Sequence, residues 1–272
     1  MTLLEGTLVL LAGVWAGGIN AIVGSGTLIT FPTLLAIGVP PVTANISNGI
    51  GLVPGSVAGV VGYRRELDGQ RARVARLLVA SAIGGLAGAV LLLVLPPGAF
   101  EAIVPVLILL AVVLVVVQPW LSEKVGARAA ARSADVSPEL AAHREHHGGW
   151  WVWPSVLGAG AYGGYFGAAQ GVLLMGILGI GIEETLQRLN AVKNVLSAVV
   201  NTVAGVVFVV VAELGLFGSD AEVDWRLVAL IGAGSIAGGF LGAAIGRRLP
   251  PVVLRTVIVV VGLTAFAVLV FG

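Results

Sequence analysis

The sequence predicts an all-α polytopic membrane protein built from two inverted repeats of about five helical segments each, with one short or broken helix per repeat. Three observations carry this. First, 58% of the 272 residues are hydrophobic and only 11% are charged, with a mean hydropathy of +1.04. A soluble chain of this length has too little interior for so much apolar surface. Second, Ser81-Ala82-Ile83-Gly84-Gly85…Gly88…Leu95-Pro96-Pro97 recurs as Ser235-Ile236-Ala237-Gly238-Gly239…Gly242…Leu249-Pro250-Pro251, at a constant offset of 154 residues. Third, the charges flanking the two copies change sides. A β-barrel is excluded by the absence of ~10-residue alternating segments.

The apolar segments run 3–23, 26–37, 41–63, 73–95 and 99–120 in the first half, and 150–168, 171–182, 187–212, 226–247 and 251–271 in the second. Most approach the ~20 residues that span a bilayer. Segments 26–37 and 171–182 do not. At 1.5 Å per residue each covers ~18 Å of a ~30 Å hydrocarbon core. They hold equivalent places in the two halves, and paired, Gly-interrupted short segments point to a transporter's binding site. Whether they cross or re-enter is left open. The domains are therefore residues 1–120, a first transmembrane repeat; 121–149, a linker; and 150–272, a second, inverted repeat.

Orientation follows from charge. Arg64, Arg65, Arg71, Arg73 and Arg76 place the turn after segment 41–63 in the cytoplasm. The equivalent turn in the second half carries Glu213, Asp220, Glu222 and Asp224, and is external. The turn at Pro96-Pro97 lacks flanking bases, whereas its twin at Pro250-Pro251 has Arg247, Arg248 and Arg255. The linker is then cytoplasmic and both termini external, in the plasma membrane. Trp120, Trp150, Trp151, Trp153 and Trp225 sit where interfacial anchors belong. The linker's charges cancel, and its Ala-rich start favours partial helix. His143, His146 and His147 share one helix face, but a solvated linker face explains them better than a metal site. No basic n-region or cleavage site marks a signal peptide.

The 40 glycines include Gly84-x3-Gly88, Gly234-x3-Gly238 and Gly238-x3-Gly242, the spacing that lets membrane helices pack closely. With no cysteine there is neither a disulfide nor a thiolate site, and the net charge of +1 suggests no nucleic-acid partner. No H-E-x-x-H, P-loop or Ser–His–Asp set occurs, so no enzyme and no cofactor are expected.

Polar side chains inside a membrane are costly and therefore informative. In the first half these are Asn20, Ser25, Thr27, Asn45, Ser47, Asn48 and Ser56. In the second they are Tyr162, Tyr165, Gln170, Asn190, Lys193, Asn194, Ser197, Asn201 and Thr202. Gly24-Ser25-Gly26 aligns with Ala169-Gln170-Gly171, and Asn48 with Asn194. Helix N-termini at these breaks present N–H groups and partial positive charge, which suits an anion. The expected substrate contacts are Gly24, Ser25, Gly26, Asn48, Ala169, Gln170, Gly171, Lys193 and Asn194. Lys193 is a counter-charge for the anion, a side chain snorkelling to the cytoplasmic face near Arg188, or one half of a structural pairing. Each Asn is either a ligand contact or an interhelical hydrogen bond.

Gly17-Gly18-Ile19-Asn20-Ala21-Ile22-Val23-Gly24-Ser25-Gly26, then Phe31-Pro32-Thr33-Leu34-Leu35 and Gly38-Val39-Pro40-Pro41, resembles the N-terminal motif of the TauE/SafE family of sulfite exporters. Gly163-Gly164-Tyr165-Phe166-Gly167-Ala168-Ala169-Gln170-Gly171 resembles that family's second copy. The glycine triplet of the family reads Gly24-Ser25-Gly26 here, and no proline follows the second break. The resemblance implies a secondary transporter that exports sulfite or another organosulfonate or organic anion by alternating access. The partners are then the small anion and the lipid bilayer. A coupling ion and a homo-oligomer are left open. An anion channel of the same fold, or a membrane subunit needing partner chains, are the alternatives.

Overall fold

A computed structural model describes residues 1–135, 149–216, 222–245 and 251–271. Among them the secondary structure is helical, without strands. The helices are α1 (Leu3–Ile22), α2 (Thr27–Ala36), α3 (Pro41–Gly62), α4 (Arg71–Val94), α5 (Pro97–Asp135), α6 (Val152–Tyr165), α7 (Gln170–Gly181), α8 (Leu186–Leu214), α9 (Trp225–Ile245) and α10 (Pro251–Phe271). Five are long and apolar enough to cross a membrane: α1, α4, the Pro97–Trp120 part of α5, α8 and Trp225–Ala244 of α9. The chain is a multi-pass membrane protein. His143, His146, His147, Asp220, Arg247, Arg248 and Pro250 lie outside the described residues.

Each segment starts and stops for a local reason. Thr2 and Glu5 form a reciprocal capping box at α1, with Glu5 N–H donating to Thr2 Oγ1 at 3.2 Å and Thr2 N–H to Glu5 Oε2 at 2.7 Å. Pro41 opens α3 at a position where its missing N–H costs nothing. Thr185 caps α8, and Gly215 ends it in the left-handed conformation at φ 59°. The short helices α2 and α7 have 10 and 12 residues. The Ala-rich linker is helical at its start: α5 continues to Asp135, through the strong helix formers Ala127, Ala129, Ala130, Ala131 and Ala134.

Glycines set how the long helices meet. A Cβ on Gly13 would lie 2.9 Å from the Ile231 carbonyl oxygen, one on Gly17 2.2 Å from that of Ser235, and one on Gly242 2.6 Å from that of Gly18. The numbers rise together, so α1 and α9 run parallel. Gly51 against Ile231 and Gly55 against Ser235 set α3 parallel to α9 as well. By the same signs, Gly84 against Leu157 and Gly88 against Ala161 make α4 parallel to α6. The helices α3 and α8 are antiparallel: Gly59 approaches Asn194, Asn201 reaches Ser56, and Gly205 faces Ile50. α5 packs on α10 and α7, and α10 on α2.

The arginine-rich turn after α3 docks on the start of α8. Glu184 pairs with Arg73 at 3.1 Å and with Arg188 at 2.8 Å. Arg188 also donates to the Asp68 carbonyl at 3.0 Å. Glu184→Gln is expected to cost about 1 kcal/mol, because the pairs are only partly shielded from water. Thermal unfolding in detergent checks this. The deficit should shrink in 1 M salt, where the Debye length is ~3 Å; a salt-independent loss would assign it to packing instead.

Candidate functional site

Both breaks arise from backbone that glycine permits. At the first, the N–H groups of Val23 and Gly24 both turn back to the Ile19 carbonyl, at 2.7 and 2.9 Å. Gly24 then takes φ 85°, where a side chain is strained. At the second, Phe166 and Gly167 donate to the Tyr162 carbonyl at 3.0 and 3.1 Å, and Gly167 takes φ 80°. Ala169 follows at φ 59°, the only described non-glycine residue in that region. This costs roughly 1–2 kcal/mol. Ala168 and Ala169 are fully buried, and Tyr162 Oη donates to the Ala168 carbonyl at 2.5 Å, so the packing holds the strained turn.

The two breaks touch. Gly171 N–H donates to the Gly24 carbonyl at 3.0 Å. A Cβ on Gly24 would lie 2.4 Å from Gly171 Cα, and the reverse holds equally. Gly26 packs on the last turns of α1, where a Cβ would lie 2.3 Å from the Ala16 carbonyl oxygen. Thus α2 begins level with residues 16–20 of α1, well inside the helix bundle.

The sequence pointed to the first N–H groups of α2 and α7 as the anion's donors. The structure corrects this at two of them. Gly26 N–H is taken by Asn20 Oδ1 at 2.6 Å, and Gly171 N–H by Gly24. Two side-chain donors at the breaks are left over. Ser25 Oγ and Gln170 Nε2 are buried and have no hydrogen-bond partner among the described residues. A buried donor without a partner costs about 1–3 kcal/mol unless something else binds it.

Lys193 is fully buried, which removes the snorkelling alternative. Its Nζ donates to the Asn20 carbonyl at 3.0 Å. Asn190 and Asn194 donate to the Ala21 carbonyl at 3.1 and 3.3 Å. These carbonyls end α1, where they lack helical partners and carry partial negative charge. A second-half helix thus caps a first-half helix with two amides and the Lys193 amino group. The reciprocal contact is lighter: Asn45 Nδ2 donates to the Tyr165 carbonyl at the end of α6, at 2.9 Å. Asn48 ties α3 to α2, accepting from Thr30 Oγ1 and donating to Thr27 Oγ1. Ser47, aligned with Lys193, instead accepts the Asp224 N–H at 3.0 Å.

A polar cavity opens where the breaks meet. Its walls are Asn20, Ala21, Gly24, Thr27, Ser56, Gly59, Gly167, Gln170, Gly171, Asn194, Ser197 and Asn201. None is charged. Four of the nine expected contacts line it: Gly24, Gln170, Gly171 and Asn194. Ser25, Gly26 and Ala169 lie in the breaks themselves. Lys193 stands behind the wall on Asn20, and Asn48 lines a second cavity. Asn20, Thr27, Ser56, Ser197 and Asn201, not among those nine, line it as well. Spacing was the signal for part of this set: Asn194, Ser197 and Asn201 fall at i, i+3 and i+7 on one helical face.

The family described as "Sulfite exporter TauE/SafE" matches residues 9–269. A protein of Sinorhizobium sp described as "Probable membrane transporter protein ORF9" is 31% identical over 94 residues, 35% of this chain and 36% of that protein. The chain therefore spans about a third of that relative's length. No solved structure matches the chain significantly. The family match covers both breaks, the cavity between them and nearly every helix, and on that ground the chain belongs to the sulfite exporter TauE/SafE family of membrane transporters.

Proposed function

We propose that this protein is a secondary transporter, not an enzyme, that exports a small anion such as sulfite or an organosulfonate across the plasma membrane by alternating access. The observation that carries the reading is the uncharged polar cavity at the junction of two helix breaks, lined by Gln170, whose buried Nε2 has no hydrogen-bond partner among the described residues; Ser25 Oγ, in the first break, has none there either. A small oxyanion supplies the acceptors those donors want. Lys193 adds a positive charge one backbone carbonyl behind the wall. Amide and hydroxyl donors compensate the anion's desolvation without trapping it, as a carrier requires.

Inverted repeats are part of the proposal. In support, α3 and its sequence counterpart α8 run antiparallel to each other. The pairings also survive exchange of the halves: α1 with α9 mirrors α6 with α4, and α2 with α10 mirrors α7 with α5. The arginines at the α3–α4 turn place that end in the cytoplasm, which makes both termini external.

The test is flux of sulfite, sulfoacetate and sulfate in proteoliposomes. Saturable transport of at least one is expected in the wild type. Gln170→Met keeps the volume and removes the donor, and should lower flux by on the order of tenfold, the value of one lost hydrogen bond to a charged ligand. Rates equal to protein-free liposomes for all three anions would sink the reading. Non-saturating conductance in single-channel recordings would replace the carrier with a channel.

A further inference from the structure

The two halves of the chain are not the two packed bodies of the molecule. Backbone meets backbone where helices of opposite halves cross. A Cβ on Gly238 would lie 1.9 Å from the Val14 carbonyl oxygen, and one on Gly55 2.6 Å from that of Ser235. These contacts bind α1, α3 and α9 into one triplet. Likewise a Cβ on Gly88 would lie 2.0 Å from the Ala161 carbonyl oxygen, and one on Gly85 3.2 Å from Val200 Cα. These bind α4, α6 and α8 into another. Each triplet mixes both halves. Where the triplets face each other, α3 and α8 meet more loosely and through side chains: a Cβ on Gly205 would stand 3.4 Å from Ile50 Cγ1, and one on Gly49 3.8 Å from the Phe208 ring.

Both cavities lie along this looser seam. The first sits at the Ser56–Gly59 end of α3 and the Asn194–Ser197 stretch of α8. The second sits towards the other end of the antiparallel pair, between Asn45, Asn48 and Leu52 of α3 and Ala204 and Phe208 of α8. They share Thr27, Gly167 and Asn201. Asn201 donates across the seam to Ser56 Oγ at 3.2 Å. Hydrogen bonds also cross the seam beside each cavity. By the first, Asn190, Lys193 and Asn194 of α8 hold the end of α1. By the second, Asn45 of α3 holds the end of α6.

We propose that the second cavity is the other end of a single substrate path that passes Thr27, Gly167 and Asn201, and that movement between the triplets α1–α3–α9 and α4–α6–α8 opens the two ends in turn. The Lys193 cluster latches one end and Asn45 the other. The Gly24–Gly171 contact, which also crosses the seam, is the pivot. This rests on the transporter reading above, and it makes alternating access a motion along the seam that the glycines leave free.

The chain has no cysteine, so introduced thiols report alone. Asn201→Cys is exposed to a membrane-impermeant charged thiol reagent in right-side-out and inside-out vesicles. Labelling from both faces is expected; labelling from one face or neither overturns the shared path. Two disulfides then separate the candidate motions, each checked for loss of its own thiols. Gly85→Cys with Val200→Cys ties the sequence halves together inside one triplet, and a Cβ at Gly85 stands 3.5 Å from Val200 Cβ, suited to a disulfide. Ile50→Cys with Gly205→Cys ties the triplets across the seam. In the Asn201→Cys background the first lock should leave two-faced labelling intact. The second should slow labelling from one face by on the order of tenfold or more, as freezing a two-state equilibrium requires, with recovery on reduction. The opposite pattern overturns the triplets. Sulfite and sulfoacetate flux by the cysteine-free protein is measured in parallel. Two-faced labelling without flux of either anion would overturn the substrate reading and leave the path standing.

Discussion

Gly24→Ala should abolish transport and cost the fold about 2–5 kcal/mol. Two penalties add. The left-handed backbone at φ 85° costs a β-carbon roughly 1–2 kcal/mol. The methyl would also lie 2.4 Å from Gly171 Cα, and overpacking of that kind costs typically about 1–3 kcal/mol. The protein supplies its own controls. Gly38 has the same φ of 85° with nothing near its missing Cβ, so Gly38→Ala carries only the backbone penalty. Gly171→Ala meets the same 2.4 Å contact without positive φ, so it carries only the packing penalty. Thermal unfolding in detergent and anion flux are measured for all three. If Gly24→Ala melts no lower than Gly38→Ala, the two breaks do not touch.

Gly238→Leu and Gly88→Leu should prevent accumulation of folded protein. Cβ atoms at these sites would stand 1.9 and 2.0 Å from carbonyl oxygens of Val14 and Ala161. Those oxygens belong to helix backbone, so relief requires separating α1 from α9 or α4 from α6. That opens voids along interfaces whose attraction is mainly close van der Waals packing, since lipid provides no hydrophobic drive between helices. The loss should be about 3 kcal/mol or more, the upper end of overpacking costs. Gly158→Leu, on α6 with nothing within 4 Å, should express and melt like the wild type. Monodisperse yield after extraction reads the difference. Equal yields for Gly158→Leu and Gly88→Leu would mean the α4–α6 contact is not the one described.

Element positions were legible in the sequence because the bilayer imposes a simple rule: apolar length against membrane thickness. The segment 41–63 became Pro41–Gly62, 26–37 became Thr27–Ala36, and 171–182 became Gln170–Gly181. The place where an apolar criterion failed was the start of the linker, where alanine-rich polar sequence carries α5 on to Asp135. Helix propensity rather than hydropathy decides there. The breaks were legible too, as Gly24-Ser25-Gly26 and Ala169-Gln170-Gly171, although the strained alanine at φ 59° in the second was not.

What the polar residues do was not legible. Lys193, Asn190 and Asn194 share an α8 stretch, yet their acceptors are carbonyls of α1, about 170 positions away in the chain. No spacing rule along one helix names a partner on another. Asn48 and Asn194, aligned in the two halves, have different duties: one binds threonines of α2 and the other caps α1. The glycine pattern announced close packing but not which helices would pack, and the answer was helices from opposite halves.

The sequence by itself determined the membrane class and the helical segments, because these follow from local composition measured against a fixed solvent thickness, while its glycine motifs marked the two breaks and the resemblance to the family. The tertiary structure alone decided that the breaks touch through Gly24 and Gly171, that Ser25 and Gln170 keep buried donors without partners among the described residues, and that Lys193 faces a helix end. Those facts depend on contacts between residues distant in the chain, and such contacts are set by backbone proximity that only the folded arrangement defines.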